Sequence, residues 1–227
     1  MALQVPKHYV EHIKKLLELP DDKIDAFVTA LVDAAPQFNV FDLATEAAKR
    51  SAVPRGLAQE LLRMLASLYI TRDNRAAALE AFVDEELATA LKAQALPPEN
   101  SDREWARLRK FFMAALALDS TVGAAAKAGE VLTDHERIFV DARILTDVRP
   151  IFHLDVSEKP SVAVAIHMLR ITERDKLDNR KSTYFALDSN DIRALKTILD
   201  RAIKKEDTLK KMMKSSGVNI LAPKAFF

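Results

Sequence analysis

The side chains with the most evident chemical potential lie near the start of the chain. His8-Tyr9-Val10-Glu11-His12 has the spacing H-x-x-E-H, the inverted form of a zinc-hydrolase pattern. On a helix, residues four apart face the same way, so His8 and His12 would present two imidazoles to one ion while Glu11 serves as base. Such a centre needs a third protein ligand on a supporting element inside a walled cleft. No second helix carries an obvious ligand signature, so the expectation is a surface face of an amphipathic helix.

Three further histidines, His135, His153 and His167, fall in the last hundred residues. A metal would require them to converge; hydrogen-bonded histidines at a seam are the expected outcome. Asp84-Glu85-Glu86 and Asp21-Asp22 are adjacent carboxylates, but neighbours on a helix point in different directions. They read as a solvated face and a helix start. No Gly-x-Ser-x-Gly elbow is present. Only 4 Gly occur, and no run of them forms a phosphate loop. The best anion-binding candidate is a row of cations, Arg193, Lys196, Arg201, Lys204, Lys205, Lys210, Lys211 and Lys214. Asp191, Asp200, Glu206 and Asp207 dilute it, and few aromatics interleave to stack bases. No cofactor, metal site or catalytic residue is expected, and the chain reads as a non-enzyme.

Composition narrows the class. The 227 residues are 49% hydrophobic and 30% charged with a net charge of +1, as in soluble globular proteins. The near-zero balance argues against a dedicated nucleic-acid binder. Absence of Cys removes disulfides, thiol catalysis and Cys-based metal sites. No segment approaches the roughly 20 apolar residues of a membrane span, and residues 1–12 lack a secretory apolar run. A cytoplasmic location is the default expectation.

The elements that must position these residues divide at about Leu132. Before it, steps of three and four between apolar residues predict seven helices. They cover about 7–19, 21–35, 40–50, 54–70, 75–95, 101–118 and 121–131. Pro6, Pro20, Pro36, Pro54 and the run 97–100 punctuate them. Ser101 and Glu104 have capping-box spacing.

After about Thr133 the period becomes two. Ile138, Val140, Ala142 and Ile144 alternate with polar residues, and the phase continues through Val148, Phe152, Leu154 and Val156. This predicts one long bent strand or two strands broken near Asp147–Pro150, with Pro150 at an edge or bulge. Residues 162–171 are apolar on both faces, as for a central strand. Residues 173–180 form a charged loop with its turn at Asp178-Asn179, and Ser182–Leu187 is a third strand. Asp188 or Ser189 caps a long helix with an apolar stripe from Ile192 to Met213, closed at Gly217. One such helix cannot cover both faces of a three-stranded sheet. The second face needs the N-terminal region or another chain. The tail from Val218 to Phe227 is apolar and is expected to dock on the body or on a partner.

The order of long strand, central strand, strand and long helix resembles the COMM domain. The matching residues are Leu145–Phe152, Val164–Leu169 and Tyr184–Leu187 leading into the helix, within roughly the last 80 to 90 residues. Where the family carries a Trp in its first strand, this chain has Arg149-Pro150-Ile151; its one Trp is Trp105. The resemblance implies an obligate dimer of interlocking sheets and a scaffolding or adaptor role without enzyme activity.

The expected architecture is therefore α+β. A helical bundle over 1–132 is followed over 133–227 by a small three-stranded antiparallel sheet on a long C-terminal helix. Ile138, Val140, Val162, Val164, Ile166, Met168, Tyr184 and Phe185 are expected to carry self-association. The expected partners are a second copy and a further protein. The alternative is a nucleic-acid or regulatory binding protein using the bundle and the basic last helix.

Overall fold

In a computed structural model of the chain, residues 3–97, 101–175 and 177–221 are described. Two compact units meet between Leu132 and Thr133. The fold is α+β, with a helical N-terminal part followed by a three-stranded antiparallel sheet and a long C-terminal helix.

The first unit contains α1 (Lys7–Leu17), α2 (Asp21–Val32), α3 (Val40–Ser51), α4 (Arg55–Asn74), α5 (Leu79–Ala81), α6 (Ala88–Lys92), α7 (Asp102–Leu116) and α8 (Ala124–Thr133). Each starts where the sequence supplies a start. Pro6, Pro20 and Pro54 precede α1, α2 and α4, their fixed φ being suited to helix entry. Asn39 accepts the Asp42 amide hydrogen at the head of α3. The Ser101 hydroxyl accepts from the Glu104 amide at 3.3 Å. The return half of the expected capping box is not formed, and Glu104 Oε2 is buried without a hydrogen-bond partner. Residues 98–100 of the expected break lie outside the described residues.

One boundary differs from the periodicity. The fifth predicted helix begins at Leu79 rather than near Arg75. Helix α4 runs to Asn74 and is closed by Ala76, whose φ of 50° ends the helical path. Between α5 and α6 the chain is π-helical over Phe82–Leu87. Phe82 and Leu87 lie five residues apart and both are fully buried. The wider turn puts them on one face, where an α-helix would separate them.

Every buried hydrophobic residue among those described falls between Val5 and Ala126. Phe27, Phe82, Phe111, Phe112, Leu43, Leu61 and Leu65 form the centre of that core. Arg107 on α7 fastens the α1–α2 connection to it. The guanidinium donates to the carbonyls of Leu17 at 2.9 Å and Leu19 at 2.7 Å, and to the Asp21 carboxylate at 2.5 Å. It thereby satisfies carbonyls that the end of a helix leaves without partners.

The second unit contains β1 (Ile138–Ile151), β2 (Val162–Arg174), β3 (Arg180–Leu187) and α9 (Ser189–Ser215), with strand order β1-β2-β3. The long first strand is continuous, and Pro150 stays within it opposite Ala163. Its missing amide hydrogen is tolerated because β1 is an edge strand. Phe152, Leu154 and Val156 lie in the following loop, not in the strand. The β2–β3 turn is held by Asp175, which accepts from the amides of Leu177 and Asn179 at 2.8 and 2.9 Å. Asp178 takes a φ of 63° there. Asp188 and Asp191 form a reciprocal capping box on α9. The helix ends in a Schellman motif, with Gly217 at φ +76° and the Val218 amide donating to the Met213 carbonyl at 2.9 Å.

Candidate interaction surface

Residues paired across an antiparallel sheet share a face, so the register sorts the apolar side chains of the second unit. Ile144 opposes Leu169, which opposes Phe185; Val148 opposes Ala165; His167 opposes Leu187. These residues, with Ala142 and Ile171, make one face largely apolar, with Thr146, His167 and Thr183 among them and Glu173 and Lys181 at one end. The other face carries Leu145, Ile151, Val162, Val164, Ile166 and Met168, with Tyr184 in line. Arg143, Asp147, Arg149 and Arg170 are interspersed there. Both faces of β2 are apolar, as a central strand requires.

A bulge resets the phase of β1. The register shifts between Phe139 and Asp141, leaving Val140 as the extra residue. Ile138 opposes Arg174 and so lies on the Met168 face, across the sheet from Ala142 and Ile144. The even phase read from the sequence as continuous from Ile138 is thus interrupted at Val140. Of the expected self-association residues, Ile138, Val162, Val164, Ile166, Met168 and Tyr184 occupy one face. Phe185 occupies the other, and Val140 sits in the bulge.

Pairing between β2 and β3 stops at His167 and Leu187. The β1–β2 ladder continues past it, from Asp147 and Ile166 to Ile151 and Val162, as a two-stranded ribbon. Two strands alone are marginally stable in water. Val148, Ile151, Val162 and Val164 of this ribbon are exposed, as are Phe152 and Leu154 in the loop at its tip. The apolar stripe of α9 is equally open: no α9 residue is buried, and Ile198, Leu199 and Ile203 are 65%, 63% and 59% exposed. Ile166, Met168, Leu169 and Ile171 of β2 are half-buried, whereas the ribbon beyond His167 and most of the α9 stripe are exposed.

The other candidate residues are dispersed. Glu11 is held by Lys14 at 2.9 Å, and that cation keeps its carboxyl below the usual range. The His8 ring packs on Tyr9 at 4.1 Å between centroids, and His12 Nδ1 is buried without a partner. His167 Nδ1 is 2.8 Å from Thr146 Oγ1 across the β1–β2 ladder. His153 lies in the hairpin loop, 3.5 Å from Ser161 Oγ, and His135 precedes β1. Among the described residues, no group of three or more His, Asp or Glu side chains is placed to hold a metal ion. The adjacent carboxylates are separately engaged: Asp84 takes a two-pronged bond from Arg109 at 2.6 and 2.8 Å, Glu86 pairs with Arg75, and Asp21 with Arg107. A cleft of about 710 Å³ between α2 and α7 has Ile24, Val28 and Phe111 on its floor. The Asp21–Arg107 and Asp25–Lys110 pairs lie along it.

One polar cluster has no counterpart in the sequence motifs. Tyr69 of α4 is buried, and its hydroxyl donates to Asp119 Oδ1 at 2.7 Å. Arg72 lies over the Tyr69 ring at 4.6 Å and donates to the Leu116 carbonyl at 2.7 Å. Lys127 approaches the ring at 5.7 Å while pairing with Asp73. Burial, then the Asp119 carboxylate, pushes the Tyr69 phenol above its ordinary value. Gly123 gives the ring its room: a Cβ there would lie 2.5 Å from Tyr69 Cζ. The available signal was a lone Gly inside an apolar helical run.

The tail predicted to dock falls mainly on residues 222–227, outside the described residues. Val218 and Ile220, in its described part, are exposed. No single helix among the described residues is long and apolar enough to cross a membrane. No protein-family model matches the chain, and no curated protein matches it.

Proposed function

We propose that the protein is a non-enzymatic, cytoplasmic interaction protein that self-associates through its β-β-β-α unit and holds a further protein in a scaffold. One observation carries the reading. The described core ends at Ala126, whereas the ordered sheet and α9 bury no hydrophobic residue. Ordering backbone costs about 1–2 kcal/mol per residue, and burial at about 25 cal/mol per Å² is the main term that offsets it. A unit with two apolar sheet faces and an open helix stripe therefore gains its cover from association. A second copy brings matching chemistry, an apolar stripe for an apolar sheet face. The element order and the Leu145–Phe152, Val164–Leu169 and Tyr184–Leu187 segments resemble the COMM domain, which favours the same self-associating, adaptor-type reading.

Light scattering after size exclusion tests it on the full chain. The expected mass is twice 25.4 kDa; a 25.4 kDa particle at tens of micromolar overturns the proposal. Ile166→Asp then places a carboxylate in the β2 face. Losing a buried Ile costs about 1.5–3 kcal/mol, and a symmetric dimer carries the change twice. Association weakened by roughly a hundred- to ten-thousand-fold is the expected result. A variant that remains dimeric at low micromolar concentration refutes the assignment of this face.

A further inference from the structure

The sheet has a step along β2. Pairing with β3 stops at His167 and Leu187, whereas β2 begins at Val162. The segment Val162–Ile166 therefore pairs with β1 on one side only. The chain leaves β3 at Asp188, whose amide donates to the Asp191 carboxylate and whose carbonyl accepts from Ile192, both at the start of α9. Among the described residues no other segment pairs with the open edge. An open strand edge is a template for another chain, and proteins protect such edges with charge, proline or a bulge. Both outer edges of this sheet are protected in that way. β1 carries the Val140 bulge, Pro150 and the charges of Asp141, Arg143, Asp147 and Arg149, and β3 opens on Arg180-Lys181. The step reads Val-Ala-Val-Ala-Ile, with no charge, no proline and no bulge. Val162 to Ala165 are exposed and Ile166 is half-buried.

We propose that the step is filled by the same segment, Val162–Ile166, of a second copy, paired antiparallel about a two-fold axis at Val164. The inference rests on the self-association proposed above and names the strand edge that carries it. Three features select a second copy. The step is bounded by Leu187 at one end and by the start of β2 at the other, and a two-fold axis sets the same bounds on the incoming strand. Antiparallel pairing about Val164 places Val164 against Val164, Val162 against Ile166 and Ala163 against Ala165. Paired residues share a face, so β-branched side chains meet on one face and alanines on the other, with no like charges opposed. Strand addition takes its specificity from the side chains at alternate positions, and here those positions match the segment itself. Finally, the ribbon of 147–151 and 162–166, marginal as two strands, becomes the half of a four-stranded β1-β2-β2-β1 centre that continues the Val162, Val164 and Ile166 face across both copies.

The chain has no Cys, so one introduced thiol reports one distance. Val164→Cys in the full chain is oxidised with copper phenanthroline and followed on non-reducing gels. Directly opposed residues of neighbouring antiparallel strands have Cα atoms about 4.5–5.5 Å apart, within the disulfide limit of about 7 Å. Sheets packed face to face lie about 10 Å apart, beyond that limit. Val148→Cys, on β1 opposite Ala165, is the control, because three strand spacings, about 14 Å, separate the two copies of that position in the paired dimer. An unchanged circular dichroism spectrum shows that each variant is folded. Val164→Cys is expected to cross-link to twice 25.4 kDa at least ten-fold faster than Val148→Cys. Equal rates at the two positions overturn the proposal. A Val164→Cys protein that is dimeric by light scattering but does not cross-link refutes the edge pairing and leaves self-association standing, whereas a monomer removes both.

Discussion

Replacing Gly123 by Ala adds one methyl group and tests the packing of the 119–123 segment, just before α8, on α4. Its Cβ would lie 2.5 Å from Tyr69 Cζ, 2.6 Å from the hydroxyl oxygen and 2.8 Å from Cε2. Ordinary carbon contacts are about 3.5–4.0 Å, so the ring must retreat by about 1 Å. Tyr69 is 3% exposed and has no open side. Retreat also draws the hydroxyl from Asp119 and the ring from beneath Arg72 and Lys127. Overpacking costs about 1–3 kcal/mol. A hydrogen bond to a charged group is worth about 1.5–3 kcal/mol when desolvated, and less here because the Asp119 side chain is 75% exposed. Helix propensity returns about 1 kcal/mol. The net expectation is a loss of about 2–3 kcal/mol. Urea unfolding followed at 222 nm reads it as a lower midpoint with an unchanged slope. Gly129→Ala is the internal control, since a Cβ at Gly129 meets nothing within 4 Å. It should stabilise by up to about 1 kcal/mol. Gly123→Ala matching wild type would refute the close-approach argument, and Gly123→Ala tracking Gly129→Ala would reduce both glycines to propensity alone.

Arg107→Lys keeps the charge but loses the fork that reaches two carbonyls and Asp21. It should lower stability by about 1.5–3 kcal/mol, and hydrogen exchange near Leu19 should accelerate; unchanged exchange refutes the fastening role. Tyr69 predicts an alkaline limit to stability. Its phenol is raised by burial and then by Asp119, so the folded state holds the proton more tightly than the unfolded chain. That contribution is complete below about pH 10, the free phenol value, and is lost as pH rises through the higher folded value. Absorbance at 295 nm, as wild type minus Tyr69→Phe, should show this tyrosine ionising above pH 10. Ionisation at or below pH 10 would refute the burial argument.

Much of the fold was legible because its signals are local. The apolar spacing at Leu57, Leu61, Leu65 and Leu68 needs only a helical backbone to become a stripe. The prolines before α1, α2 and α4, the Asp188 cap and the Gly217 stop act within a few residues of themselves. The change of period near Thr133 marks the boundary of the two units for the same reason. The bulge at Val140 was hidden, because alternation in one strand does not state where its partner slips register.

The candidate surface divides in the same way. That β2 is apolar on both faces was readable from residues 162–171 alone. Which face holds Ile138, and that the ribbon beyond His167 lacks a third strand, depend on pairing between residues tens of positions apart. The Tyr69–Asp119 contact and the Gly123 close approach join α4 to the start of the α8 region, and no periodicity encodes them. Likewise, cations in α9 were evident as residue types, but that Lys196 pairs with Asp200 and Lys210 with Glu206 depends on side-chain geometry. The sequence by itself determined the elements, their order and the apolar surplus of the second unit, since backbone preference and side-chain polarity act at short range. Only the tertiary structure decided which surfaces remain uncovered, because burial belongs to a set of neighbours and not to any one residue.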